Sequence, residues 1–585
     1  MNRKHFSSFS NNGSRNITKR KILVFFVILF LFFVIAARAF YFQIFKFSDI
    51  DKRAESTVNK EITEKPKRGD ILDRNGNIFA MSVKKYTLFM DAKNIKDVSA
   101  AEKFLSSFGI KFSEDNLRQI RMQKRNIKVT DNLDEETVEK IKQNKQLRQG
   151  HDYRLEYTYI RQYPEVNMLS HVLGRVNAES TGIEGVEKTC NNHLTGDYIK
   201  IHTKEIGGIN KKSIYTTTPN ENSYYGKSVF LTIDKKIQFI AEQELQEGLK
   251  KNKAKHAVAI VQDPLSGEIL AMASLPNYNP GEKIKDISVL RNYAISGTLE
   301  PGSTFKIIAL AGVLEENLFK PTDRIDCMNG KMEIYKDVII SDHEKKGVIT
   351  LAQVIGYSSN IGTAKIALAL GKDRFYKYIK IFGFDSKTGI ELNGEENGAL
   401  KPTRAWSGRS LHTIAFGQEI LTTPLQTVNS FSAIANNGLL LKPQIIKSID
   451  SVQQSTQTVS IRRVVSEDTA FEIRKILKGV VDNGTGLGAK IEGYTVGGKT
   501  GTAQKIDKTT GKYSKKHYVS SFCGMIPAME PKLVILVLFD EPQGDYYASS
   551  VAAPVFAKIA QRTMQYLNIP KDDIAVKNNK EQLCY

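Results

Sequence analysis

The chain has 585 residues, 41% of them hydrophobic, and 84 Lys and Arg against 63 Asp and Glu give a formal net charge of +21. These values exclude a disordered chain, leave apolar mass for two or three domains, and suit an anionic partner. The four cysteines, Cys190, Cys327, Cys523 and Cys584, are far apart, so no close pair can clamp zinc or form a redox dithiol; they read as small buried apolar residues, and no metal or cofactor is expected.

Near the N-terminus, Ile22 to Ala37 is an unbroken apolar run, followed by Arg38 and an amphipathic stretch to Phe45. The pattern predicts one membrane-spanning helix over 22–42, with Arg38 snorkelling and Phe40 and Tyr41 at the interface. Arg3, Lys4, Arg15, Lys19, Arg20 and Lys21 hold the 1–21 tail in the cytoplasm by the positive-inside rule. The expected location is therefore the cytoplasmic membrane, single-pass, with the bulk of the chain extracytoplasmic. A cleaved leader is the competing reading, because Ala37-Arg38-Ala39 fits a small-x-small site; the apolar run exceeds the roughly 7 to 15 residues of a leader core and favours an anchor. Export directs the basic balance toward anionic lipid and wall polymer rather than nucleic acid.

Residues 43–228 are charge-rich with short alternating segments (TLFMDA, DYRLEYTYI, DYIKIHT) and read as an elongated, mainly β stem. After Gly226 the texture changes. A helical pattern at Lys236 to Lys250 precedes two apolar strands, HAVAIVQD and EILAMAS, around the turn Pro264 to Gly267. Helical patterns follow at 303–317, 350–381 and 423–437, then the strands YVSSFCGMI and KLVILVLFD and a last helix near 551–566. Strands at both ends with helices between predict an α/β domain over 229–567, with helices on a largely antiparallel sheet, and a tail at 568–585.

Ser303 and Lys306 occur in LEPGSTFKIIALAGVLEE, where Pro301-Gly302 punctuates the chain and the following run is apolar nearly all round. Ser303 is thus expected at the N-terminus of a buried helix, with Lys306 one turn along on the same face. A serine hydroxyl needs a neighbouring base to become a nucleophile, and a desolvated lysine can be that base. The helix N-terminus also favours an oxyanion. Taken alone, the pair reads more readily as a helix cap followed by a snorkelling lysine, and Ser82 to Lys85 repeats the spacing.

Two further elements follow in order. Ser358-Ser359-Asn360 lies between helical patterns, where a short loop can project a hydroxyl and a carboxamide, or simply cap a helix. Lys499-Thr500-Gly501-Thr502 in YTVGGKTGTAQKI reads as an edge strand whose glycines let a ligand backbone approach. A second Lys-Thr-Gly at Lys387 to Gly389 follows a helix end and reads as a loop decoy. Gly493 to Thr500 also satisfies a phosphate-loop pattern, but Thr500 is followed by a hairpin-like stretch rather than a helix, and the segment is expected outside the cytoplasm.

Ser-x-x-Lys, Ser-x-Asn and Lys-Thr-Gly in this order resemble the active-site set of penicillin-binding proteins and serine β-lactamases. EPGSTFK, YSSN and GGKTGTAQK are similar to the high-molecular-weight class B penicillin-binding proteins, and Glu300 before Pro301 together with the compact stem resembles the septal type more than the elongation type. Arg68 to Gly76, Arg161 with Tyr163-Pro164, His171 to Gly174, Gly182 to Glu187, FGQEILTTPLQ and VAAPVF extend the likeness over most of 60–560. Glu419 departs from it, standing where a small residue is usual. The resemblance implies a peptidoglycan D,D-transpeptidase in which Ser303 is the nucleophile, Lys306 the general base and Ser358 the proton relay. It further implies that Asn360 binds the substrate amide, that Lys499 keeps Lys306 neutral, and that Thr500, Gly501 and Thr502 line the carboxylate site. The backbone amides of Ser303 and Thr502 would form the oxyanion hole. Implied partners are peptidoglycan stem peptides, β-lactams, a membrane glycosyltransferase and division-complex proteins.

Other classes fit less well. A bifunctional enzyme would need a glycosyltransferase domain, a soluble β-lactamase or carboxypeptidase would need neither stem nor anchor, and a β-lactam sensor would need more cytoplasmic or membrane-embedded chain. A scaffold of the division or elongation complex, with acylation secondary, is the alternative.

Overall fold

The structure, a computed structural model, describes residues 13–46, 59–64, 66–95, 97–143, 147–196, 199–205, 212–217, 225–336, 338–450, 457–507 and 509–573. Cys584, the basic residues Arg3 and Lys4, and most of the 568–585 tail lie outside them. The chain divides into two compact units, 1–66 with 197–224, and 67–196 with 225–585.

In the first unit, Gly13–Phe40 is a single α-helix continued by a π turn, Tyr41–Phe45. Its Lys19–Phe45 portion is long and apolar enough to cross a membrane, and none of it is buried by protein. Its leucine and phenylalanine side chains are exposed all round the helix, whose backbone satisfies its own hydrogen bonds. The unit also holds a three-stranded antiparallel sheet with Ile199–Glu205 between Asn59–Glu64 and Lys212–Thr217.

The second unit contains the expected antiparallel sheet, five strands in the order Ile269–Leu275, His256–Gln262, Leu533–Asp540, Tyr513–Ile526, Gly497–Ile506. Alternate residues face opposite layers. Val258, Ile260, Met272, Val519, Cys523 and Leu536 join the core that includes the helix Lys306–Glu315. Ala257, Val261, Ile535, Val537 and Phe539 pack instead with the helices Lys235–Asn252 and Ala553–Tyr566. Both faces are covered, which is why these strands are apolar without a polar alternation.

The helical stretch expected over 350–381 is three helices, Leu351–Gly356, Asn360–Leu370 and Lys372–Ile381. The first break is made by Ser359, whose hydroxyl caps the second helix by accepting from Gly362 N, and the second by Gly371 at φ +82°. A further helix, Glu467–Asn483, is absent from the expectations above. Its signal is present in the sequence: Ser466 caps it, and buried Ala470, Ile473, Leu477 and Val480 recur at helical spacing.

The stem residues of this unit build a second sheet, in which Ile78–Met90 pairs antiparallel with both Ile127–Leu133 and Tyr153–Gln162. Ile71–Leu72 links it, through a parallel pairing, to Val229–Leu231. Beside the strands stand the helices Val98–Ser106, Glu114–Arg121 and Glu135–Gln143. The charged residues of the stem signature converge. Glu187, fully buried, accepts from Arg68 Nε and Arg161 Nε at 2.6 Å each, while Arg161 also donates to Gly69 O at 2.7 Å.

Candidate active site

Pro301 and Gly302 turn the chain so that residues 302–305 form one 3-10 turn, and the α-helix proper begins at Lys306. Ser303 is half-buried in that turn, one residue-triplet ahead of Lys306 as its spacing implies. Gly302 adopts φ +57° and donates its N–H to Gly417 O at 3.1 Å; a Cβ there would lie 3.1 Å from that of Ala503. A Cβ on Gly501 would fall 2.9 Å from Pro301 O. The two glycines therefore let the Lys-Thr-Gly strand lie directly against the Ser303 turn.

Lys306 has no exposed surface. Its Nζ donates to Ser358 O at 2.5 Å, Ser358 Oγ at 3.1 Å and Asn360 Oδ1 at 2.8 Å. These contacts join the Ser303 turn to the Ser-x-Asn loop, and Ser303 Oγ is not among the hydrogen-bond partners of the amine. Burial, and secondarily the Lys499 charge, lower the Lys306 pKa well below the usual amine range, against the opposing pull of Asp342 and Cys327. Lys499 is also fully buried, with Nζ 3.2 Å from Thr500 O and 3.3 Å from Thr500 Oγ1, and burial pushes its pKa down to about 7.

Lys499 to Thr502 occupy the edge strand Gly497–Ile506, paired on one side only. The strand runs from Gly497 to Ile506 with no helix after Thr500, which removes the phosphate-loop reading of Gly493 to Thr500. Lys387 to Gly389 sits in a turn whose Thr388 and Gly389 amides donate to Glu395, away from these groups in role and setting. Ser82 to Lys85 lies in the strand Ile78–Met90, where a spacing of three points side chains to opposite faces.

Three contributors carry no motif. Thr485, in the loop after Glu467–Asn483, places its Oγ1 3.0 Å from Thr500 Oγ1 and is held by Thr485 N to Gly356 O at 3.1 Å. Ala548 N donates to Thr502 Oγ1 at 3.2 Å. Asp342, after the strand Val338–Ser341, accepts from Ser359 Oγ and from the N–H groups of Asn360 and Ile361.

Glu419, the departure from the resemblance, has a structural role. It adopts φ +59°, a conformation that favours glycine, and its carboxylate accepts from Arg409 Nε at 2.9 Å, Ser410 Oγ at 2.8 Å and Thr413 Oγ1 at 2.9 Å. Its N–H donates to Glu300 Oε1 at 2.8 Å, an oxygen that also accepts from Tyr513 OH at 3.1 Å. Burial raises the Glu300 pKa above the usual carboxylate range. The turn that buttresses Gly302 is thereby pinned by side chains instead of by a small residue. Among the described residues no cluster of His, Cys, Asp and Glu is disposed to hold a metal ion, and Cys190, Cys327 and Cys523 are buried and unpaired.

Residues 257–561 match the penicillin binding protein transpeptidase domain, and residues 63–229 the penicillin-binding protein dimerisation domain. Stage V sporulation protein D of Bacillus subtilis is 35% identical over 95% of this chain and 87% of its own. Peptidoglycan D,D-transpeptidase FtsI of Escherichia coli is 29% identical over 88% of this chain and 86% of its own. Among solved structures, penicillin binding protein 3 from Mycobacterium tuberculosis, complexed with aztreonam, is similar at 28% identity with a TM-score of 0.66, covering 87% of this chain and 98% of that one. The chain belongs to the class B penicillin-binding proteins, and is a serine-type acyltransferase of peptidoglycan synthesis.

Proposed function

We propose that Ser303 Oγ attacks the penultimate D-Ala carbonyl of a peptidoglycan stem peptide. Neutral Lys306 takes the hydroxyl proton as the C–O bond forms, and the backbone amides of Ser303 and Thr502 receive the charge that develops on the carbonyl oxygen. Ser358 relays the proton to the leaving nitrogen, the C–N bond breaks, and D-Ala departs, leaving the acyl group on Ser303. Asn360 binds the substrate amide, Lys499 supplies the positive field that keeps Lys306 neutral, and Thr500 and Thr502 hold the substrate carboxylate beside Gly501. An amine of a neighbouring strand then attacks the ester, its proton returns through Lys306 to Ser303 Oγ, and a cross-link results. A β-lactam acylates the same oxygen and stays attached.

The observation that carries this reading is the pair of wholly buried lysines, one from the nucleophile helix and one from the edge strand, with the first tied to Ser358 and Asn360. Two ammonium groups cannot both stay charged cheaply in so dry a place, so one is available as a base.

The proposed organisation is a cytoplasmic tail at 1–21, a membrane helix at 22–42, a stem at 43–228, the transpeptidase domain at 229–567 and a tail at 568–585. It is supported by the apolar helix and by the two family matches. In this arrangement the chain is anchored once in the cytoplasmic membrane with its catalytic domain outside, and works in septal wall synthesis beside a membrane glycosyltransferase and division proteins. Fluorescent penicillin tests the site: the wild type labels covalently, Ser303→Ala gives no band on a denaturing gel, and equal labelling of the two would remove Ser303 from the chemistry.

A further inference from the structure

We propose that Asp342 is the positioning residue of the Ser358 to Asn360 loop, holding both side chains on the Lys306 amine and setting the charge against which that amine works. The inference rests on the mechanism proposed above and adds a residue that belongs to none of its three motifs.

One carboxylate secures three successive residues. Asp342 Oδ2 accepts from Ser359 Oγ at 2.5 Å, and Oδ1 accepts from Asn360 N at 2.6 Å and Ile361 N at 3.0 Å. The preceding residue completes the clamp, since Ser341 O accepts from Asn360 Nδ2 at 3.0 Å and so turns Asn360 Oδ1 toward Lys306. Ser359 serves twice, donating to Asp342 and accepting from Gly362 N at 2.9 Å. The two amides that Asp342 engages open the helix Asn360–Leu370, where a negative charge is favourable.

The loop needs such a clamp because Ser358 sits at φ +60°, which a side chain other than glycine's adopts only when its surroundings hold it. In that conformation Ser358 presents both its carbonyl oxygen and its hydroxyl to Lys306 Nζ. Released, the residue relaxes to negative φ, and both groups leave the amine. Asp342 therefore acts on the chemistry through Ser358 and Asn360.

Its charge acts directly. The groups facing Lys306 are Lys499 from the edge strand, Asp342 and the Cys327 thiol from the segment before the loop, and the neutral Ser358 and Asn360. Lys499 favours the neutral amine and Asp342 the charged one, so the carboxylate partly offsets the strand lysine.

The test is the rate of acylation by fluorescent penicillin against pH in the full-length protein, for wild type, Asp342→Asn and Asp342→Ala, with thermal unfolding of each. Asp342→Asn keeps an oxygen for the two amides and removes the charge. Its acid limb is expected to move to lower pH, because Lys306 then loses its proton more readily. Asp342→Ala, whose acid limb moves in the same direction, is expected to slow acylation roughly ten- to a hundredfold at the top of its profile, the scale of losing charge-assisted hydrogen bonds. An Asp342→Asn limb that coincides with wild type overturns the proposal, whatever the alanine variant does; so does a folded Asp342→Ala that labels at the wild-type rate. Labelling of Ser303→Ala would instead overturn the underlying site assignment, so the two failures are distinguishable.

Discussion

In the proposed mechanism the two buried lysines, Lys306 and Lys499, divide the work between them, and the pH dependence of acylation exposes the division. Lys306 acts neutral, so the rate climbs as pH rises through its lowered pKa. Lys499 acts charged, and burial pushes its pKa down to about 7, so in the free enzyme the rate falls as pH passes that point. A substrate carboxylate bound beside Thr500 and Thr502 stabilises the charged form of Lys499 and raises its pKa. The expected profile for acylation by a slowly reacting penicillin is therefore a bell, with its alkaline limb at lower pH in the second-order rate constant than in the saturated rate. Stopped-flow acylation from pH 5 to pH 10 checks this, and coincident alkaline limbs would separate Lys499 from carboxylate binding. The motif residues were legible because fixed spacing on a helix or strand turns sequence distance into geometry: Ser303 with Lys306, and Lys499 through Thr502. Asp342 and Thr485 were not, because each reaches the site from a loop whose path only the tertiary fold determines, and Glu419 stood out as a departure without revealing the contacts that give it a role. For Asp342 the sole local hint is an acidic residue closing a β-branched run, which by itself signals a turn.

At the scale of elements, the same contrast separates the sheet from the stem. The strands Ile269–Leu275, His256–Gln262 and Leu533–Asp540 are continuous apolar runs, because both faces are buried, and they stand out in sequence with their boundaries nearly right, whereas Tyr513–Ile526 starts five residues before the apolar run YVSSFCGMI. The stem helices of eight or nine residues, such as Glu114–Arg121, bury only two side chains each and leave little periodic signal. What holds the stem signature together is ionic instead. Glu187 is enclosed by Arg68, Arg161 and Tyr163, all buried, and it is the one carboxylate bonded to both guanidinium groups. Removing it leaves two buried cations without their anion, a loss of about 3–5 kcal/mol. Glu187→Ala is thus expected to lower the thermal midpoint by several degrees while Ser303 still labels in the folded fraction. Differential scanning fluorimetry with penicillin labelling measures both, and an unchanged midpoint would show that the arginines find other partners.

For the molecule as a whole, the question is whether anchoring and acylation are separable. All the side chains assigned to the chemistry, from Ser303 to Thr502, belong to the unit that begins at Lys67, whereas the apolar helix belongs to the other unit. Twenty or more lipid-exposed residues fix a chain in a bilayer with an affinity that the rest of the protein need not supplement. The proposed catalytic geometry, by contrast, depends on contacts of Gly302 with Ala503, Lys306 with Ser358 and Asn360 with Asp342 that lie entirely within the second unit. Deleting residues 1–46 is accordingly expected to move the protein from the membrane to the aqueous fraction while leaving its penicillin acylation rate within about twofold, since no hydrogen bond of the site is touched. In growing cells the full-length chain, fused to a fluorescent protein, is expected at midcell, and the truncated one should be lost from it. Midcell recruitment of a soluble truncation would assign localisation to the stem, and side-wall signal from the full chain would overturn the septal role while leaving the Ser303 chemistry intact.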